Sequence, residues 1–502
     1  MKSKLFKIII SILMIFVSVP QSIFADETDW TLLSKALTDQ TQESIDGLFE
    51  VSYDGALRKV KLLSDIVAQE GDSTIHIKSD NRYSVELDLN GHTVDGNNKI
   101  EYELFKIGNF RGSYYCDLTI DDTSLDGTGV IKNGISRILY VDEYGMLTLN
   151  GGTITNDYPL STNAVFIYKY PNEYYSAGVF VMNGGKITGI TSSNSTIYNN
   201  SGIFIMNGGE ISNNHCCVDI YSFDTVENIG IMFMQGGEIS SNTSAFISER
   251  DEYSGAVFNY AGELCKLFIG GDAVIKNNTL QDNETISNVI INKDYNNLRF
   301  MDDNVLLSDI VSEYYPDTYK ESFDKLNIDI LSKAPSDTFD VSFELIEGKS
   351  LTEGIIATDV DYDLFKYLKS DNQNYYFKYT PEQNSIDESS SHFKIIEITD
   401  EKKITTSSCN HGSLYAYSYY AKPGDNVKIY YNADDGYILD SLSYKINNVN
   451  NNIDLTTCSF DMPEGDIEVF ATFKEPNVPS PAPSDKPAKK YSVPNTGVSF
   501  FN

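Results

Sequence analysis

LTLNGGTITN at residues 147–156, FVMNGGKITG at 180–189, FIMNGGEISN at 204–213, MFMQGGEISS at 232–241 and LFIGGDAVIKNN at 267–278 say nearly the same thing five times. An earlier relative, LDLNGHTVDG, stands at 87–96. Each copy is a short apolar run, an Asn or Gln (absent from the last), a Gly pair (Gly-His in the earliest), one or two polar residues and a β-branched residue. The five clear copies recur every 24 to 35 residues, too short for a domain and right for one coil of a stacked solenoid. Gly reaches positive φ without steric cost, so the phrase reads as short strand, tight turn, short strand. Strands this short bury their apolar side only when the next coil stacks on them, and the stack then forms a continuous parallel sheet around a shared core.

Two columns follow from stacking. The amides of Asn90, Asn150, Asn183, Asn207 and Gln235 fall at the same turn of each copy. They either hydrogen-bond up the axis as an amide ladder or only tolerate the turn; Gln235, a poor turn former that keeps the amide, favours the ladder. Side chains alternate in a strand, so pairs such as Leu147/Leu149 and Phe180/Met182 line the core. The residues between them, Asp88, Thr148, Val181, Ile205, Phe233 and Phe268, face outward and change from polar to aromatic along the axis. Such an apolar stripe is either covered by the chain's own loops, with 156–176 the candidate cover, or is a contact surface. Val181, Ile205, Phe233 and Phe268 are therefore the candidate binding residues.

The ends of the chain supply an address. A basic start, the apolar run Ile8 to Val19 and Ile23-Phe24-Ala25 make residues 1–25 a secretory signal peptide. No other run is long enough to cross a bilayer, so the mature chain is expected to have no transmembrane span. Residues 26–60 are expected to form an N-terminal cap, with Trp30, Leu33 and Leu37 on one helical face behind Asp29 as N-cap. The solenoid is assigned to 61–300, closing coils and a C-terminal cap to 301–400, a small β-rich module to 401–474, a Pro-rich linker to 475–490 and a tail to 491–502. The fold class is thus all-β.

A net charge of -34, with six arginines among 38 basic residues, argues against nucleic acid or any polyanion lacking a bridging cation. Neutral glycans, cationic partners and calcium-bridged acids stay open. Calcium is accordingly the one cofactor kept in view. Of the six cysteines, Cys116, Cys216, Cys217 and Cys265 lie in the repeat region as small hydrophobes. Cys409 and Cys458 are the candidate disulfide of an exported chain. No His/Cys spacing suits zinc.

LDLNGHTV, followed by LTIDD at 118–122 and the repeated NGG phrases, resembles the right-handed parallel β-helix of pectate-lyase-like surface proteins of Gram-positive bacteria. GSLYAYSYYAKPGDNVKIYYNADDGYILDSL at 412–442 with SFDMPEGDIEVFATFK at 459–474 resembles the divergent internalin-type B-repeat, an extracellular β-rich unit. Val493-Pro494-Asn495-Thr496-Gly497 is similar to the sortase signal Leu-Pro-x-Thr-Gly, with Val for the leading Leu. This resemblance implies sortase and peptidoglycan as partners, although only Val498 to Asn502 follow in place of an apolar span and basic tail.

Parallel β-helices also carry pectin-degrading sites, so the fold alone does not decide function. Asp121 and Asp122 are the best catalytic candidates, with Arg111 and Arg137 to either side in sequence and Asp142 beyond. The Asn-Thr-Asp, Gly-His-Gly and Arg-Ile-Lys companions of a polygalacturonase-like site are missing, and adjacent Asp residues after a strand are more often turn formers. The expectation is a secreted or cell-surface, non-catalytic adhesin for an extracellular glycan or protein. A polysaccharide lyase or glycoside hydrolase is the alternative, and a plain spacer the third reading.

Overall fold

The computed structural model describes residues 27–476 except 79–82, 110–114, 171–175, 193–194, 216–217, 222–228, 244–256, 260–265, 281–285, 292–297, 315–316, 346–354, 359–366, 368, 372–373, 381–390 and 417. The expected signal peptide, nearly all of the linker, the Val493–Gly497 motif, Arg111, Cys216, Cys217 and Cys265 lie outside the described residues. The chain divides into two compact units, Met1–Thr399 and Asp400–Asn502.

The first unit is a parallel β-helix with three faces. On the first, ten strands run in one sheet from Phe49–Asp54 to Leu298–Phe300, all parallel except the opening hairpin of Phe49–Asp54 with Leu57–Leu62. The second face climbs from Ile66–Val67 through Thr153–Thr155 to Val274–Lys276, and the third from Ile75–Ile77 through Val165–Tyr168 to Val289–Ile291. Strand Asp340–Leu345 pairs with both Val274–Lys276 and Val289–Ile291, fusing the two faces into one sheet of eighteen strands. Alternation puts every second residue inside. One interior column reads Val85, Leu118, Leu147, Phe180, Phe204, Met232 and Leu267.

The expected amide ladder is present from Asn150 upward. Asn183 Nδ2 donates to Asn150 Oδ1 (3.0 Å), Asn207 Nδ2 to Asn183 Oδ1 (2.9 Å) and Gln235 Nε2 to Asn207 Oδ1 (2.8 Å). Asn90 is not in it. Leu87 pairs with Ile120 and Ile120 with Leu149, so the earliest copy sits two residues away from the alignment its NG suggests. Glu86, not Asp88, is therefore the outward equivalent of Thr148. The cause is the turn: Val94 on the second face aligns with Ile131 and Ile154, and the extra residues between Leu87 and Val94 are taken up at Asp88–His92. Leu89 plugs that turn, fully buried, and Asn90 Nδ2 instead holds Leu62 O at 2.9 Å.

A second ladder runs inside the corner between the second and third faces. Asn214 Nδ2 donates to Asn242 Oδ1 (3.0 Å), Asn242 Nδ2 to Asn278 Oδ1 (2.9 Å) and Asn278 Nδ2 to Asn288 Oδ1 (2.9 Å). Each Oδ1 also accepts the backbone N–H of the coil below, as with Ile190 N to Asn214 Oδ1 at 3.0 Å. The column ends on Asp371, whose carboxylate accepts from Asn288 N and Nδ2. These amides are buried, and they pair the backbone groups that a corner would otherwise leave orphaned.

Helix α1, Asp29–Thr38, closes the N-terminal end, capped by Thr28 rather than Asp29. Its buried face is Trp30, Leu33, Ala36 and Leu37. Arg58, at the foot of an interior column, turns its guanidinium to the carbonyls of Ala36 (2.7 Å) and Gln40 (3.1 Å), locking the helix end to the first coil. At the far end Asp340–Leu345 and Lys369–Ser370 add parallel strands to the stack, while Ile355–Thr358, Ser391–Glu397 and Tyr375–Thr380 make a three-stranded antiparallel sheet. The second unit is a five-stranded and a three-stranded sheet around Ile404, Leu414, Ile429, Leu442, Ile467 and Val469.

The two ladders differ in burial and so in cost. Asn242→Ala leaves two buried donors of Asn214 without an acceptor, at about 1–3 kcal/mol each. Asn183→Ala removes two exposed bonds whose groups water can satisfy, at about 0.5–1.5 kcal/mol each at most. Urea unfolding should therefore show the Asn242 variant as clearly the weaker; equal losses would contradict the inner ladder.

Candidate functional site

The expected contact face is covered. Val181, Ile205, Phe233 and Phe268 form one outward column on the first face, and all four are buried. Among the described residues their cover comes from two helices, α2, Leu307–Tyr314, and α3, Asp317–Leu326, while part of the expected cover 156–176 builds strand Val165–Tyr168. Leu307, Val311, Tyr319, Phe323 and Leu326 pack on the stripe, with Phe323 edge-on to Phe233 at 6.4 Å. Tyr319 Oη donates to Ile229 O (2.8 Å) and Ser201 O (3.1 Å), and Ala177 N donates to Ser322 Oγ (3.0 Å). The same column is polar below the helices, at Glu86, Thr119 and Thr148. The change from polar to apolar in the repeats thus marks where α2 and α3 dock. As placed here, the four side chains are the floor of that docking and offer a partner no surface.

Asp121 and Asp122 end the strand Cys116–Asp121 at a corner. Asp122 Oδ1 accepts Gly91 N–H (2.8 Å) and Ser124 N–H (3.3 Å), and Oδ2 accepts Gly129 N–H (2.6 Å). Asp121 Oδ1 accepts the N–H of Asp122 at 2.8 Å. Burial by itself pushes the Asp122 carboxyl up, but the bonds from Gly129, Ser124 and Gly91 outweigh it and hold the group below its ordinary value. That is the chemistry of a turn anchor: three backbone N–H groups of the corner converge on the Asp122 carboxylate. Arg137 and Asp142 lie at the third face, where Arg137 pairs with Glu103 (3.6 Å) and Asp142 with Lys106 (2.9 Å). Arg137 and Asp142 are therefore not brought together with Asp121 and Asp122.

The remaining candidates resolve simply. Cys409 and Cys458 are free thiols, not a disulfide, each directed to a carbonyl of its own turn: Ser407 O and Leu455 O, both at 3.4 Å. Among the described residues no group of three or more acidic, His or Cys side chains is arranged to hold a metal ion, so the calcium expectation finds no seat there. Nor is any helix among them long and apolar enough to cross a membrane.

An open groove, unannounced by the repeat phrases, lies on the outside of the corner above the inner ladder. It has a volume of about 620 Å³ and is lined by Gly189, Thr191, Asn213, His215, Ser241 and Thr243. Each coil supplies the same three positions. Gly189, Asn213 and Ser241 take left-handed φ values of 69°, 56° and 57° to turn the corner. The next residue, Ile190, Asn214 or Asn242, points inward, and the one after, Thr191, His215 or Thr243, returns to the surface. Parallel bridges from His215 to Thr243 and from Thr243 to Thr279 keep the outer row in register. The signal in the sequence is the polar tail of each copy, ITGIT, ISNNH and ISSNT.

Farther along the same coils the third face carries a stack of half-buried rings: Tyr140 to Phe166 at 5.2 Å, Phe166 to Tyr198 at 5.5 Å and Tyr198 to Tyr221 at 5.8 Å. Asp219, the rung partner of Tyr198, is held by Ser195 Oγ at 3.3 Å, and burial pushes its carboxyl up to about 7.

Comparison with known proteins speaks to the second unit alone. Residues 402–477 match the divergent InlB B-repeat domain, a domain associated with bacterial surface proteins. No curated protein and no solved structure matches the chain.

The anchor role of Asp122 has a pH signature. A carboxyl held below its unfolded value stabilises the fold above that value, and the contribution disappears as pH falls through the folded one. In urea unfolding, wild type should exceed Asp122→Asn at pH 7 and the gap should close toward pH 3. A gap independent of pH would show that the charge of Asp122 does nothing for the turn.

Proposed function

We propose that this chain is a secreted or cell-surface, non-catalytic binding protein whose solenoid contacts an extended extracellular ligand, a glycan or a protein, in the manner of an adhesin. The observation that carries the reading is the corner groove, where the same polar positions recur on three successive coils. Coils repeat about every 4.8 Å, so a linear ligand laid along them meets equivalent groups at equal intervals, and many weak contacts add to a useful affinity. The B-repeat match supports a place at a bacterial surface for the whole chain. The apolar stripe contributes to stability and not to contact.

Support for a lyase or hydrolase is weaker than its fold would suggest. Such a site needs two carboxyl groups set for acid and base work on one substrate, or a metal cluster beside a base. Asp122 instead accepts three corner N–H groups, and Asp121 accepts the N–H of Asp122.

Purified protein should be retained on immobilised polysaccharides or cell-surface preparations without generating unsaturated or reducing ends, with or without calcium. Cell fractionation should find it in the medium or envelope. Release of unsaturated or reducing ends that is lost in Asp122→Ala would overturn the non-catalytic reading.

A further inference from the structure

We infer that the corner groove at Thr191, Asn213, His215, Ser241 and Thr243 is a binding site for an uncharged glycan, lying along the solenoid axis with its sugar hydroxyls against the two polar rows. The inference rests on the reading that the solenoid binds an extracellular ligand, and adds which surface and which chemistry.

The lining decides the class. Beside Gly189 and the inward Ile190 it holds hydroxyl, amide and imidazole groups, with no Lys, Arg, Asp or Glu among the described residues. A polyanion finds no cation to meet there and is repelled by a chain of net charge -34. A cation finds no carboxylate among the described lining residues. A protein partner is expected to insert aromatic or aliphatic anchors into apolar pockets, and this groove offers mainly polar surface. What suits it is a ligand dense in neutral donors and acceptors. The coil spacing of about 4.8 Å is close to the length of one sugar unit, so each unit can repeat the contacts of the last.

The groove is also built for precision. Its outer rows stand directly over the buried Asn214–Asn242–Asn278 ladder, which fixes corner geometry through backbone and side-chain bonds of 2.9–3.0 Å. A site carried on such a floor needs no ordering when the ligand arrives. Beyond it, the coil of Thr191 runs on to Tyr198 and the coil of His215 to Tyr221, so half-buried rings are at hand for the apolar faces of sugars.

The test compares wild type with the double variant Thr191→Ala/Asn213→Gly. Both positions are exposed, and Gly suits the left-handed conformation at 213, so the fold should be unchanged by circular dichroism and melting. The probes are neutral oligosaccharides of glucose and N-acetylglucosamine, with oligogalacturonate as the anionic counterpart, measured by calorimetry. Wild type should bind a neutral probe and not oligogalacturonate, and the variant should bind it about ten-fold more weakly, as the loss of two neutral hydrogen bonds implies. Thr119→Ala on the first face should bind as wild type does. Neutral-glycan binding indifferent to the double variant would sink the groove assignment and leave the binding reading standing. Preference for oligogalacturonate would overturn the assignment to uncharged ligands. Binding of cell-surface proteins but no glycan would sink the inference alone, and binding of nothing would sink it together with the proposed function.

Discussion

The first unit depends on one constraint: a backbone that turns at every corner of every coil must leave no buried N–H or C=O without a partner. Along the faces, parallel strands meet it rung by rung. At the corner between the second and third faces it is met by side chains, since each buried Asn of the column Asn214, Asn242 and Asn278 accepts a backbone N–H from the coil below and donates to a backbone carbonyl or the next amide. An unpaired buried polar group costs about 1–3 kcal/mol, so a corner repeated over several coils is strongly biased toward a residue that pairs both groups. Asp122 does the accepting half of that work with a carboxylate at another corner. Ladders and anchors are one solution in two chemistries.

The first face shows how the repeats encode more than stacking. Its outward column passes from Glu86, Thr119 and Thr148 to Val181, Ile205, Phe233 and Phe268. Helices of eight and ten residues are too short to hold by themselves in water. Each large apolar side chain they bury contributes about 1.5–3 kcal/mol, enough for the stripe to account for their formation. The polar part of the column faces the solvent, and the apolar part receives the helices. Binding is left to the groove, where corner geometry brings neutral polar groups to the surface.

Much of this was legible from residues. The glycine-punctuated phrases predicted coils, and the amide of Gln235 predicted the outer ladder. The face of α1 was visible as Trp30, Leu33 and Leu37. What misled was alignment by phrase: Asn90 looks like Asn150, but strand register is set by interior contacts at Leu87 and Val94, and the turn between them can lengthen without notice in the sequence. The inner ladder and groove were overlooked because polar residues after a strand read as solvent-facing, although the second Asn of ISNN and of KNN points inward. The cover over the stripe comes from beyond the last repeat, a long-range contact that no local pattern announces. Cys409 and Cys458 share a core, yet proximity in a core does not make a disulfide.

The central claim is the register of the stack, and cysteine cross-linking tests it most directly. Under oxidation, the pairs Asn183→Cys with Asn207→Cys and Asp121→Cys with Asn150→Cys should each yield a cross-linked peptide by mass spectrometry, because these positions are neighbours on adjoining coils. The pair Asn90→Cys with Asn150→Cys, similar by phrase but two coils apart with Cys116–Asp121 between them, should not. Cross-linking of 90 to 150 with none of 121 to 150 or 183 to 207 would contradict the stack, and the ladders and groove with it.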